Sequence, residues 1–468
     1  MARQTVFYGA VISPETLSEY QAYPHSLLCV NTSGNINWIV EDVVDSAVQD
    51  LLSQYGALEA DFIELKHGEF IMPGFVDTHT HAPQVPNIGS GQQHELLDWL
   101  AQYTFPMEAR FSDVGFARRA YESVVRRIID CGTTTCCYYG TLHLESTKVL
   151  ADIVHAYGQR AFVGKCNMDR HAPDNYVEPS ADASLAATHA LIAHIRALPS
   201  PLVQPVITPR FAISCTPPLL GALGALARAD QSLLIQTHLS ENASEVTFTR
   251  SLFSECTSYT DVYDHYGLLG PRTVLAHAVY LDDAEVALIK ARDAGVSHCP
   301  TSNFNLSSGI CKVGAMLDKG IKVGLGTDVS GGFSTSILTA IQHASIASKA
   351  LAFHSPAPAE ATFAGRQLPL SALLHLATLG GAQVCGLQDR VGSLAPGKAF
   401  DALLVSVRAD AGNPGLWGAD LDRELCTGDG ARGGLDAMLE RFFFTGDDRN
   451  VRRVYVQGRW IGGAEERR

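Results

Sequence analysis

From about residue 70 to about residue 330, short apolar, β-branched runs alternate with longer Ala- and Leu-rich stretches of helical character. This alternation constrains the fold more than any other feature, because it is the pattern of repeated βα units. Eight strands are predicted, at 71–78, 133–139, 160–166, 202–207, 233–237, 273–276, 295–298 and 322–326. Eight is the number that closes a parallel barrel whose reactive groups sit at the C-terminal strand ends. The expected fold class is therefore α/β, a (β/α)8 TIM-type barrel over residues 71–390.

The two ends of the chain have a different texture. Val6-Phe7-Tyr8 and Ser26 to Val30, followed by the turn-like Asn31-Thr32-Ser33-Gly34-Asn35, suit a hairpin. Asp401 to Val405, and Val451 to Ile461 broken at Gln457-Gly458, suit strands with a tight turn. Residues 1–70 and 391–468 are expected to meet as one small β-sandwich beside the barrel. A chain of 468 residues would hold about three domains at ~150 residues each, but α/β barrels often exceed that size alone.

Composition excludes several function classes. With 46% hydrophobic and 18% charged residues the chain has ample material for a core. Its formal charge of −14, without a basic stripe, repels a phosphate backbone, so a nucleic-acid polymer is not an expected partner. No stretch reaches the ~20 apolar residues that span a bilayer, and Met1 to Phe7 lack the apolar core of a secretion signal. Glu466-Arg467-Arg468 is not a sorting signal either. Eleven irregularly spaced cysteines then read as reduced thiols of a cytoplasmic protein with no membrane partner.

The chemistry concentrates at predicted strand ends. In Asp77-Thr78-His79-Thr80-His81 the two histidines are i and i+2 on a strand, so both imidazoles face one space. Taken alone, His-x-His is more often chance than a metal site. Three more candidates lie where other strands run out: His238 in Thr237-His238-Leu239, His277 in Ala276-His277-Ala278, and Asp328 in Gly326-Thr327-Asp328. Imidazole nitrogen with carboxylate oxygen suits Zn²⁺ with an open position for water, and Fe²⁺ or Mn²⁺ would accept the same donors. His79, His81, His238 and Asp328 are assigned as ligands. His277 either binds the ion or orients its water. Glu241, three residues past His238, is expected to shuttle protons, against the blander alternative of a helix N-terminal charge.

Rival signatures fail. His94-Glu95-Leu96-Leu97-Asp98 lacks the second histidine of a zinc protease, and His143-Leu144-Glu145 has no downstream Pro-Cys-x-x-Cys. Cys299 follows a buried strand, where a packed thiol is the default.

The strand Pro73 to His81, the later His, His and Asp, and Gly392-Ser393-Leu394-Ala395-Pro396-Gly397-Lys398 resemble the amidohydrolase superfamily. Within it, His81-Ala82-Pro83-Gln84, Trp99 to Glu108, Pro209 to Cys215, His298 to Asn303 and Gly446 to Asn450 are similar to the guanine deaminases. The resemblance implies one zinc ion per chain, a homodimer, and guanine as the small-molecule partner. It also implies that Gln84 and Arg210-Phe211 bind the purine, with His81, His238 and Asp328 bordering it. Arg210 would donate to the 6-oxo group, Gln84 would read the ring edge, and Phe211 would pack on the heterocycle. A metal-activated water would attack the amino-bearing carbon, with Asp328 taking its proton, Glu241 protonating the ring and His277 steadying the developing charge. The alternatives are a related deaminase of another purine, pyrimidine or triazine ring, and a non-catalytic scaffold. One departure is visible: Ala399 stands where the family has an acidic or polar residue after Gly-Lys, far from the site.

Overall fold

Two sheets divide the seventeen strands found among residues 3–354, 357–416 and 431–466, which the computed structural model describes. Met1, Ala2, Arg467 and Arg468, read above for sorting signals, lie outside that range. The chain opens with β1 (Thr5–Pro14), β2 (Tyr20–Val30), β3 (Ile36–Val40), β4 (Asp61–Glu64) and β5 (Glu69–Pro73). It continues through β6 (Phe75–His81), β7 (Thr133–Tyr139), β8 (Arg160–Gly164), β9 (Cys166–Asn167) and β10 (Val203–Pro209). Then come β11 (Leu234–Leu239), β12 (Thr273–His277), β13 (Gly295–His298) and β14 (Lys322–Leu325), and last β15 (Ala402–Ser406), β16 (Val451–Val456) and β17 (Arg459–Gly462).

Strands β6, β7, β8, β10, β11, β12, β13 and β14 pair in parallel as an almost closed barrel, one for each predicted strand. Val76, Cys137, Phe162, Val206, Leu234 and Val274, one from each of six strands, pack with Ala382 and Val384 as a single buried cluster. Outside run amphipathic helices such as Val114–Asp130, which buries Ala117, Tyr121, Val124, Val125, Ile128 and Ile129 at helical spacing. The carboxylate of Asp113 accepts from the N–H groups of Gly115 and Phe116 and so caps that helix, a contribution of about 1 kcal/mol.

Closure between β6 and β14 rests on individual bonds rather than a ladder. The Thr78 hydroxyl donates to the Leu325 carbonyl at 2.8 Å, and the Asp328 N–H donates to the His79 carbonyl at 2.8 Å. Asp77 accepts from the Thr327 N–H at 3.1 Å and from its hydroxyl at 2.6 Å. These bonds fix the segment bearing Asp328 against the strand bearing His79.

The termini form the second sheet, in the order β17-β16-β15-β5-β1-β2-β3 with β4 on β1, as expected for a small sandwich shared by both ends. One correction concerns the strand predicted at 71–78. It is two strands in different sheets, β5 beside β15 and β6 beside β7, so the terminal sheet runs to Pro73 rather than ending at 70. Gly74 is the crossing point: a Cβ there would lie 2.1 to 2.6 Å from atoms of the Thr134 side chain. The two parts are also joined by a buried ion pair, in which Arg160 of β8 donates to both oxygens of Asp401 at 2.8 and 3.1 Å. A helix at Ala431–Thr445, absent from the sequence reading, packs Phe442 on the rings of Phe70 and Phe75 at the seam.

Candidate active site

His79 and His81 end β6, His238 lies near the end of β11, His277 ends β12, and Asp328 follows β14, all at one mouth of the barrel. Three of the turns that place them are left-handed without glycine: φ is +49° at Ser240, +76° at His277 and +45° at Asp328. Such residues each cost roughly 1–3 kcal/mol, and the surrounding structure holds them there. One ligand atom from each of His79, His238, His277 and Asp328 lies within 4.8 Å of the others, and all four residues are buried. His81 adjoins them, its Nε2 3.1 Å from His238 Nε2 and 3.4 Å from Asp328 Oδ1. All five positions named from the sequence therefore converge.

The ring nitrogens are sorted by their outer partners. His238 Nδ1 is 2.5 Å from the Arg210 carbonyl, which can only accept, so the proton sits on Nδ1 and the Nε2 lone pair faces the cluster. His277 Nδ1 faces Asn303 Oδ1 at 2.9 Å, leaving its Nε2 without a hydrogen-bond partner inside the protein. Both ring nitrogens of His79 are likewise unpartnered, although Nε2 stands 3.0 Å from Asp328 Oδ1. Burial, joined by the neighbouring His79, holds His81 and His238 well below the ordinary histidine range, and burial takes His277 down to about 4. Burial works against an ionised Asp328, but His79, His277 and His81 outweigh it and keep that group below the usual carboxylate range. Imidazole nitrogens and a carboxylate oxygen gathered in one cluster are the donor set of a divalent cation, and the orphaned buried nitrogens fit it.

Glu241 completes the centre. Its Oε2 is 3.4 Å from His277 Nε2 and its Oε1 has no partner. Burial first, then the Asp328 and Glu245 carboxylates, push it well above the usual glutamate range. It is not the helix cap: Asn242 and Glu245 form the capping box of the helix Ala243–Leu252, which leaves Glu241 to face the cavity.

That cavity is lined by His81, Gln84, Arg210, Phe211, His238, Glu241 and Asp328, with Trp99, Leu96, Leu100 and Leu306 as apolar walls. Every residue expected to touch substrate is on its wall. Two residues were missed by sequence reasoning. Glu108 is fully buried and pairs with Arg210, and Asn303 orients His277. Each lies in a segment that carries the family resemblance, but nothing local marked its role. The rival nucleophile Cys299 is buried, and burial lifts its thiol well above the ordinary range, as a packed cysteine requires.

Residues 70–461 match the amidohydrolase family. A probable guanine deaminase of Schizosaccharomyces pombe is 44% identical over 462 residues, 98% of this chain and 84% of that one. This chain belongs to the guanine deaminase branch of the amidohydrolase family. A second member, the guanine deaminase of Dictyostelium discoideum, is 41% identical and covers 97% of this chain and 98% of its own. The guanine deaminase of C. acetobutylicum, solved with guanine in its active site, superposes with a TM-score of 0.85 at 34% identity, covering 98% of this chain and 100% of that one. Family membership extends over both the barrel and the terminal sheet.

Proposed function

We propose that this chain hydrolyses guanine to xanthine and ammonia, using one Zn²⁺ held by His79, His81, His238 and Asp328 with His277 beside them. The observation that carries the reading is one cavity whose wall holds His81, His238 and Asp328 of the ligand cluster together with Glu241, Arg210 and Gln84. When bound, the ion supplies a water whose pKa falls from 15.7 to roughly 7.

The protein's own groups do the rest. Arg210 donates to the 6-oxo group, Gln84 contacts the ring edge and Phe211 packs on its face, which sets the amino-bearing carbon near the ligand cluster. Asp328, held below the usual carboxylate range, takes the proton of the attacking water. Glu241, pushed well above the usual glutamate range by burial, delivers a proton to the ring nitrogen beside the reacting carbon. A C–O bond forms, the bond to the exocyclic nitrogen breaks after a second proton transfer, and ammonia leaves. His277, fixed by Asn303, steadies the oxygen as charge develops.

The family resemblance supports a homodimer working in the cytoplasm on the free base. The net charge of −14 fits a free base better than a nucleic-acid polymer. No helix among the described residues is long and apolar enough to cross a membrane. Ammonia release measured on guanine, adenine, cytosine, 8-oxoguanine and a triazine tests the substrate. Guanine should be turned over with the highest kcat/KM, and a higher value for any other ring would overturn the reading.

A further inference from the structure

We propose that Glu108 is the positioning residue that sets the purine-reading edge of the cavity. It would do so by clamping Arg210 and Gln84 in one arrangement and, through Gln84, tying that edge to the loop bearing Asp328. The proposal rests on the guanine reading above.

Glu108 is completely buried and contributes nothing to the cavity wall, so it acts through other groups. Its Oε1 accepts from Gln84 Nε2 at 2.7 Å and from Arg210 Nη2 at 3.1 Å, and its Oε2 accepts from Arg210 Nη1 at 2.7 Å and from the Tyr176 hydroxyl at 2.6 Å. Four donors use the four lone-pair directions of the carboxylate, and the paired bonds to Arg210 fix the guanidinium plane. The helix Phe105–Ala109, which carries Glu108, also places the Phe105 ring 5.2 Å from the Arg210 guanidinium carbon.

Gln84 is locked at both ends, because its Oε1 accepts from the Ser330 N–H at 3.0 Å. Flipping the amide would set oxygen against the Glu108 carboxylate and NH₂ against an N–H, two repulsions in a buried site. What Gln84 can show a purine is thus already decided: one remaining amide hydrogen and one remaining lone pair, in a fixed order. Ser330 is two residues from Asp328, so the same amide also ties the recognition edge to a ligand of the metal centre.

The test compares wild type with Glu108→Gln and Tyr176→Phe, each with its metal content measured. Substrates are guanine and a purine bearing an amino group in place of the 6-oxo group. In Glu108→Gln, KM for guanine should rise roughly tenfold or more, as expected for loss of a charge-assisted bond, while kcat changes less and metal content holds. Preference for guanine over the diamino ring should shrink in parallel, because Arg210 and Gln84 no longer present one fixed pattern. Tyr176→Phe, which removes one donor and keeps the charge pair, should move both quantities the same way by a smaller factor. It decides the matter if Glu108→Gln does not fold. Unchanged KM and unchanged preference, with only thermal stability lowered, would reduce Glu108 to a structural ion pair and overturn the proposal. If wild type prefers another ring, the guanine reading fails by itself, and the same comparison on that ring judges the clamp.

Discussion

At the scale of single residues, the barrel mouth separates acids and bases by environment. Asp328 among histidines is pushed below the usual carboxylate range, whereas Glu241, 2% exposed and near two other carboxylates, is pushed well above it. Glu241→Gln should therefore retain the metal and lose about 10²–10⁴ in kcat, the usual contribution of one proton shuttle. A variant with full turnover would exclude Glu241 from the chemistry. The identity of this glutamate was legible from its place after His238, but the role of His277 was not. Whether an imidazole at a strand end meets the ion depends on where its backbone turns. The left-handed φ of +76° at His277 is only weakly marked by the residue type, since glycine is the main signal of that conformation in sequence. Glu108 was hidden for a related reason. Its partners Gln84, Tyr176 and Arg210 are remote in sequence, and the only local signal was a carboxylate following the apolar Phe105-Pro106-Met107.

At the scale of elements, the site depends on how β6 and the end of β14 are pinned together. Asp77 receives the His79 N–H as well as both Thr327 donors. Asp77→Ala would strand three buried donors and release the segment carrying Asp328. Metal affinity, measured by competition with a chelator, should fall about 10–100-fold, as for other outer partners of metal ligands. Unchanged affinity would show that Asp328 is held by other means. Elements bounded by clear breakers were read at their true limits, as in 133–139, between Gly132 and Gly140, and 295–298. The run at 71–78 was read as one strand because apolar periodicity continues through Gly74 and does not record a change of sheet. The helix Ala431–Thr445 was passed over because Gly433-Gly434 and the run Phe442-Phe443-Phe444 obscure an amphipathic pattern.

At the scale of the whole molecule, the barrel and the terminal sheet behave as one packed body, with Arg160 and Asp401 at the seam. Asp401 also accepts the N–H of Gln457, so it ties β8 to the turn between β16 and β17. Removing it leaves a buried guanidinium uncompensated, a loss of about 3–5 kcal/mol. Asp401→Ala should unfold at clearly lower denaturant while its folded fraction keeps a normal kcat. A midpoint equal to wild type would mean that the seam does not depend on this ion pair.

The most direct measurement follows guanine disappearance and xanthine formation on protein whose metal is counted before stripping with a chelator, after stripping, and after reloading with Zn²⁺. We expect about one ion per chain in the active protein, no turnover once it is removed, and recovery on reloading, as a site with a metal-activated water requires. Full guanine turnover by metal-free protein, or none by the reloaded enzyme, would contradict it.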